Sequence, residues 1–393
     1  MNYILFDDNR KELLPFTYTR PVSEIRCGIL TITEKWNHHL NTKVSFLTDD
    51  YLQVKYPMVQ SELMMYINGS IFPTAELIAA IHLLEEGELL YNQTKEKVIA
   101  FKSHQKVDLG AFDLHHFHQI NHVEDFDAIE HIWDIFTLND KAIKEDFAKL
   151  TDGRASQLLD DTNRHIGNQL FIEEGAKVQG AILNSSAGPI YIGKNAEIME
   201  GSVVRGPLAL CEGSQLKMAS KIYGATTIGP HCRVGGEVSN SVLFGYSNKG
   251  HDGFLGNSVL GEWCNLGADT NVSNLKNNYA EVKIWNYEKG GFKNTGLQFC
   301  GLMMGDHSKS GINTMFNTAT LVGVSANVYG GGFPRNFIPS YAWGGADKWI
   351  TFRTNKAFEV AEKMMERRNV PFTEIDKAIM EYVFEETSKY RNF

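Results

Sequence analysis

Ile192-Gly-Lys-Asn-Ala-Glu-Ile198-Met-Glu-Gly-Ser-Val-Val204-Arg-Gly-Pro-Leu-Ala-Leu210 opens a run in which an apolar residue returns at every sixth position. Leu216, Ile222, Ile228 and Val234 continue it without a miss. A period of six matches neither the roughly 3.6-residue turn of a helix nor the two-residue alternation of a strand. It fits a strand of a few residues plus a turn, repeated, with the periodic residue pointing into a prism. Glycine follows in Ile192-Gly193, Ile228-Gly229 and Val234-Gly235. Gly, Asn and Ser suit tight corners, where φ is often positive. The phase then slips by two: Val242, Phe254, Leu260, Leu266 and Val272 carry the next run, with Asn248 filling a step. Met304, Phe316, Val322 and Val328 hold a third phase, and Ile172, Val178 and Ile190 an earlier one. Slips of this kind mark inserted loops. From about Leu170 to about Pro339 the pattern predicts a left-handed parallel β-helix of hexapeptide repeats.

The flanks read differently. Tyr3-Ile4-Leu5-Phe6 and Val44-Ser45-Phe46-Leu47 predict buried strands, each followed by two aspartates. Ile25 to Trp36 and Glu76 to Glu85 predict helices. Alternating strands and helices imply an α/β layer with a parallel sheet. Ala142 to Leu150 predicts a helix leading into a linker at Thr151 to Asn163. Asp347 to Tyr390 predicts two helices broken at Pro371. The expected domains are an α/β domain over 1–155, a β-helix over 165–340 and a helical extension over 345–393.

The chain has 393 residues and a net charge of −9. That balance excludes a general nucleic-acid binder, whose phosphate contacts need a basic face. No stretch approaches the roughly 20 apolar residues of a membrane span, and the start carries no basic, signal-like leader. The five cysteines (Cys27, Cys211, Cys232, Cys264 and Cys300) are scattered, with no C-x-x-C pair. Neither a disulfide framework nor a zinc site is expected, and a cytoplasmic location is.

The chemistry concentrates in Lys249-Gly-His251-Asp-Gly-Phe-Leu-Gly, followed by Asn265-Leu-Gly-Ala268 and Asn274-Leu-Lys276. This stretch resembles the acetyltransferase half of the GlmU family, bifunctional glucosamine-1-phosphate N-acetyltransferases and N-acetylglucosamine-1-phosphate uridylyltransferases. Val282-Lys283, Thr295-Gly296 and Gly305-Asp-His-Ser-Lys-Ser-Gly-Ile-Asn313 follow the order of its archaeal-type branch. The resemblance covers most of residues 165–335 and implies acetyl-CoA as donor and an amino-sugar phosphate as acceptor. It also implies a homotrimer with acetyl sites between neighbouring prisms.

Acetyl transfer to an amine needs the amine unprotonated, and an imidazole can take its proton near neutral pH. The resemblance assigns that task to His251. It assigns Asn265 to the sugar, and Ala268 and Asn274 to the region of the thioester. A family lysine that holds the sugar phosphate falls near Ser239, so Lys249, Lys276 or Lys283 would have to supply that charge. Phe254 and Leu275 stand where bacterial members have tyrosines. No acyl-enzyme is required, and Cys264 is expected to be a packed small side chain.

Leu14-Pro-Phe-Thr-Tyr-Thr-Arg20-Pro21 resembles the start of sugar-nucleotidyltransferase domains, where a glycine-rich loop and an arginine cradle nucleotide phosphates. Here Asp7-Asp8-Asn-Arg replaces the glycines. Asp7, Asp8 and Arg20 are the candidate nucleotide-binding residues, with UTP or another nucleotide as ligand. An active domain would need Mg²⁺ to offset the carboxylates. Asn68-Gly69-Ser70 stands where the family has a metal-binding aspartate in its third position. His115, His116, His118 and His122 alternate along the chain rather than converge, so exposed histidines are expected there instead of a metal site. Three classes compete: an acetyltransferase with or without uridylyl transfer, a nucleotidyltransferase with a structural β-helix, and a non-catalytic scaffold.

Overall fold

The structure is a computed structural model that describes residues 1–108 and 113–393. Its chain divides into two compact units. One comprises Met1–Leu13, Arg20–Ile25 and Leu30–Glu130; the other comprises Leu14–Thr19, Arg26–Ile29 and His131–Phe393.

The first unit is built on six strands: β1 (Asn2–Phe6), β2 (Ser45–Leu47), β3 (Met64–Asn68), β4 (Glu88–Asn92), β5 (Lys97–Ser103) and β6 (His118–Asn121). Their order is β2-β1-β3-β5-β4-β6. β1 is parallel to β2 and β3, as expected. β5 runs antiparallel to both β3 and β4, so the sheet is mixed rather than parallel. The reason is local: β4 and β5 are joined by a short turn in which Glu96 has a φ of 50°. The helix expected over Ile25 to Trp36 begins later, as α1 (Ile32–Leu40). Thr31 accepts from the Glu34 amide while Glu34 reaches back to the Thr31 amide, a reciprocal cap that fixes the start. Gly28, at φ 89°, breaks any earlier turn.

In the second unit, the strands stack coil on coil into the expected left-handed β-helix. Ile192, Leu210 and Ile228 lie in register on one face. Ile198, Leu216 and Val234 do so on the next, and Val204 and Ile222 on the third. All are at most 1% exposed. Burying each such side chain contributes about 1.5–3 kcal/mol, which explains why the spacing is so strict.

Between Val234 and Leu260 the expected phase is off by one residue, while Leu260, Leu266, Val272, Met304, Phe316, Val322 and Val328 are interior as expected. The interior column runs Val238, Leu243, Lys249, Leu255, Leu260, Leu266 and Val272; Asn248 and Phe254 point outward. Val242 is buried on the outer side of its strand, next to the interior Leu243. The slip has a backbone cause. Earlier corners between the second and third faces use four residues, 199–202 and 217–220, whereas Gly235-Gly236 turns in two.

The predicted linker is not free. Gln157 N–H donates to Ile172 O (2.8 Å) and Asn163 Nδ2 to Val178 O (2.7 Å), so these residues already cap the first coil. At the other end, Trp349–Thr351 pairs antiparallel with Ala342–Gly344. The two expected helices follow. To keep chain order, the short helix α2 (Asp50–Gln53), α3 (Ala75–Leu83), α4 (Asp134–Thr137) and α5 (Asn139–Thr151) come first; the C-terminal pair is α6 (Thr354–Glu366) and α7 (Glu374–Glu386). Tyr341 Oη donates to Met380 O (2.7 Å) and Arg368 to Asn248 Oδ1 (3.2 Å), fastening the pair to the coils.

Candidate active site

His251 lies on the corner formed by Gly250 to Gly253, between the strands Asn248–Lys249 and Phe254–Gly256. It is exposed. The equivalent corner of the next coil, Gly267 to Thr270, sits directly above it: the Asp269 amide donates to Asp252 O (3.1 Å). That corner carries Ala268. Asn265 lies on the preceding face, in register with Asn248. Asn274 lies on the following face, where its Nδ2 donates to Asn257 Oδ1 (2.8 Å). His251 and Ala268 thus share one corner of the prism, with Asn265 on the face before it and Asn274 at the far end of the face after it.

Glycine makes this corner accessible. A Cβ on Gly250 would meet nothing within 4 Å, so bare backbone faces open space beside His251. A Cβ on Gly267 would approach the Gly311 carbonyl carbon at 2.5 Å, which keeps the coils closely stacked above. Exposed amides at such a corner can donate to a developing oxyanion. After Asn274 the chain leaves the prism, forms the hairpin Lys283–Asn286 with Gly291–Asn294, and returns where Cys300 N–H donates to Asn274 O (2.9 Å).

The lysines separate. Lys249 does not reach a ligand as expected. It is 2% exposed inside the prism, and its ammonium donates to Gly235 O (2.9 Å) and His251 O (2.8 Å). Lys276 is half-buried in the excursion and donates to Glu281 O (2.7 Å), while Lys283 is exposed on the hairpin. Sequence reasoning passed over Lys309, in register beside Asn265, whose ammonium donates to His307 O (2.8 Å). Burial pushes its amine down to about 8. Cys264 is fully buried, and burial pushes its thiol up to about 12, so it stays protonated and packed.

In the first unit, the carboxyl ends of β1 and β3 form the edge at which open α/β sheets bind ligands. Asp8 accepts from Asn68 Nδ2 (2.8 Å) and pairs with Lys97 Nζ (3.2 Å). Lys97 also faces Glu130 (3.7 Å). Ser70 is fully buried and donates to Asn68 Oδ1 (2.8 Å). Mg²⁺ prefers open carboxylate oxygens and its own waters. Here an ammonium already stands between the two carboxylates and the serine is turned inward, so these residues do not fit the metal. No group of three or more metal-ligating side chains occurs among the described residues. His115, His116 and His118 are exposed, as expected, whereas His122 is buried.

Asp7 and Arg20 are not presented to a nucleotide either. Arg20 is 4% exposed. Asp7 accepts from the Val22 amide (2.7 Å) and the Thr48 hydroxyl and pairs with Arg10. Burial pushes its carboxyl from 3.8 up to about 6, against the pull of the Arg10 guanidinium and those two donors. The folded protein thus holds this proton at a pH where the unfolded chain has lost it. Its share of stability falls as pH rises from about 4 through about 6. The stability of the wild type relative to Asp7→Asn should drop by about 2–3 kcal/mol between pH 4 and pH 7 in urea melts. A pH-independent difference would contradict this.

Residues 3–155 match the family model of the sugar nucleotidyl transferases. The bifunctional sugar-1-phosphate nucleotidylyltransferase/acetyltransferase of Sulfurisphaera tokodaii is 29% identical over 171 residues, 43% of this chain and 39% of the relative. The bifunctional protein GlmU of Synechococcus elongatus is 25% identical over 193 residues, 46% of this chain and 38% of the relative. The chain thus spans well under half the length of either. The bifunctional protein GlmU of Methanocaldococcus jannaschii is 24% identical over 331 residues, 81% of this chain and 67% of the relative. The N-terminal region is thus similar to the sugar nucleotidyl transferases, and the chain with its hexapeptide coils is similar to GlmU-like bifunctional proteins.

Proposed function

We propose that this chain transfers the acetyl group of acetyl-CoA to the amine of an amino-sugar 1-phosphate, glucosamine-1-phosphate being the first to test. The supporting observation is an exposed His251 on an open glycine corner, with Ala268 stacked above and Asn265 and Asn274 on the flanking faces. In this reading the imidazole accepts the proton as the sugar nitrogen bonds to the thioester carbon. The carbon–sulfur bond then breaks, giving an amide and free coenzyme A. Corner amides stabilise the intermediate oxyanion. Asn265 and Asn274 orient acceptor and donor, and Lys276 or Lys283 faces the sugar phosphate.

The site would be completed by a second copy of the chain in a homotrimer. Supporting this, Ile182 and Val203 lie in register on the face that ends at Phe254, and each is nearly half exposed. No helix among the described residues is long and apolar enough to cross a membrane. All five cysteines are free and buried, which suits a reducing cytoplasm.

UTP or another nucleotide remains the ligand class for the N-terminal domain, but the Lys97 arrangement argues against metal-assisted uridylyl transfer. The full chain should release thiol when given acetyl-CoA and glucosamine-1-phosphate. It should release no pyrophosphate above background when given N-acetylglucosamine-1-phosphate, UTP and Mg²⁺. Absence of thiol release with this acceptor and with other amino-sugar phosphates would overturn the proposed activity. Mg²⁺-dependent pyrophosphate release would overturn the reading of Lys97.

A further inference from the structure

Corners between the second and third faces of this β-helix are stapled by hydroxyls. In four of the four-residue corners between the second and third faces the last residue is Ser202, Ser220, Thr270 or Thr314, each at most 2% exposed. Each donates to the carbonyl of a corner's first residue: Ser202 and Ser220 to Lys217 O, Thr270 and Thr314 to Gly311 O. A buried carbonyl left without a donor would cost roughly 1–3 kcal/mol, so the staple is a structural requirement.

The corner that carries His251 lacks one. Its last residue is Gly253, at φ 112°, a backbone conformation that serine and threonine rarely adopt. The corner beneath it is the shortened one, Gly235-Gly236, so the two carbonyls to be satisfied belong to corners of unequal length. At this point the interior column holds a lysine in place of an aliphatic residue. Lys249 stacks on Val234, and its ammonium reaches Gly235 O (2.9 Å) in the lower corner and His251 O (2.8 Å) in the upper one. A Cβ added to Gly236 would lie 2.9 Å from that nitrogen, so the glycine at this position is what makes room for it.

We propose that Lys249 is a positioning residue: its buried ammonium replaces the missing hydroxyl staple and fixes the backbone of His251, and with it the imidazole. The inference rests on the acetyl-transfer reading for its kinetic consequence, though not for its structural one. Burial pushes the amine down to about 8, against the pull of Asp252 and Asp269, the charged groups that act on it. Such a group is costly to keep in an apolar column, where methionine or leucine would fill the same space. Its retention there is explained by what it holds.

Lys249→Met is the test, in the full chain. Exchange of the Phe254 and Glu237 amides, which are bonded to Asn271 Oδ1 and to Gly253 O, should speed up by about 10-fold or more, while Met199 and Gly201 in the 199–202 corner keep their protection. The kcat for acetyl transfer should fall by about 10-fold or more, with the KM for acetyl-CoA within about twofold, because a base displaced by a fraction of an ångström loses rate rather than binding. Should the methionine variant fail to fold, Lys249→Gln, whose shorter side chain stays polar but stops short of both carbonyls, decides by the same split. An unchanged kcat in a folded variant, or exchange raised equally at all four amides, would overturn the proposal. If instead His251→Ala left turnover intact, the acetyl-transfer reading would fall, while exchange at Phe254 and Glu237 would still report whether Lys249 holds the corner.

Discussion

His251→Ala is expected to lower kcat for acetyl transfer by about 10²- to 10⁴-fold, the range over which a positioned general base contributes. The fold should survive. The side chain is exposed on a corner whose backbone is held by Lys249 and by the Asp269–Asp252 bond, neither of which needs the imidazole. The KM for acetyl-CoA should change little, because the ring is assigned to the proton and not to the coenzyme. Steady-state kinetics at neutral pH read this directly. Turnover within about threefold of wild type would remove His251 from the mechanism, since a base worth so little is no base.

The largest expected effect on stability is that of Phe316→Ala. Phe316 is 1% exposed, stacks in register on Val272, and its carbonyl accepts from the Ser273 amide (2.9 Å). Truncating a buried phenylalanine costs about 3–5 kcal/mol, part of it for the cavity left behind. A solenoid is a stack in which each coil contacts only its neighbours, so the loss should appear locally rather than as a uniform shift. Amide exchange in the coils around 271–273 and 314–322 should accelerate, while the coils around Ile198 and Leu216 keep their protection. Asn274, next to Ser273, would be loosened with them, so activity should fall as well. Met218→Ala, at a 67% exposed site, should be within about 0.5 kcal/mol of wild type. A cost below about 1 kcal/mol at Phe316 would mean that the column is not packed as described.

The architecture was legible where burial repeats. An interior column must be apolar at every step, and Ile192 to Val234 records that constraint residue by residue. The reading slipped by one residue where backbone, rather than burial, sets the step. Gly235-Gly236 shortens a corner by two residues, and no side-chain pattern announces corner length. Lys249 was misread for the same reason. Taken as a candidate charge for the sugar phosphate, it sits on the interior column, a place that charge avoids unless it has specific partners.

His251, Ala268 and Asn274 were candidates because a short local motif carries them; the coils stack His251 and Ala268 on one corner and put Asn274 at the far end of the next face. The Asp8, Lys97 and Glu130 set was not. Its members are joined by no motif, and only the sheet order brings β5 next to β3 and Lys97 to Asp8. The missing glycines and Ser70 marked that edge as altered, yet gave no sign of what stands there instead. The late start of α1 was readable in principle, since Thr31-x-x-Glu34 is a capping signature, but the apolar residues from Ile25 onward masked it.

The most direct test is a crystal structure of the full chain with coenzyme A and glucosamine-1-phosphate bound. The account predicts the pantetheine arm along the corner at Gly250 and Ala268. It also predicts the sugar amine within about 3 Å of the His251 ring, or one water away. A coenzyme seated elsewhere on the molecule, or a sugar bound with its amine turned away from that ring, would contradict it.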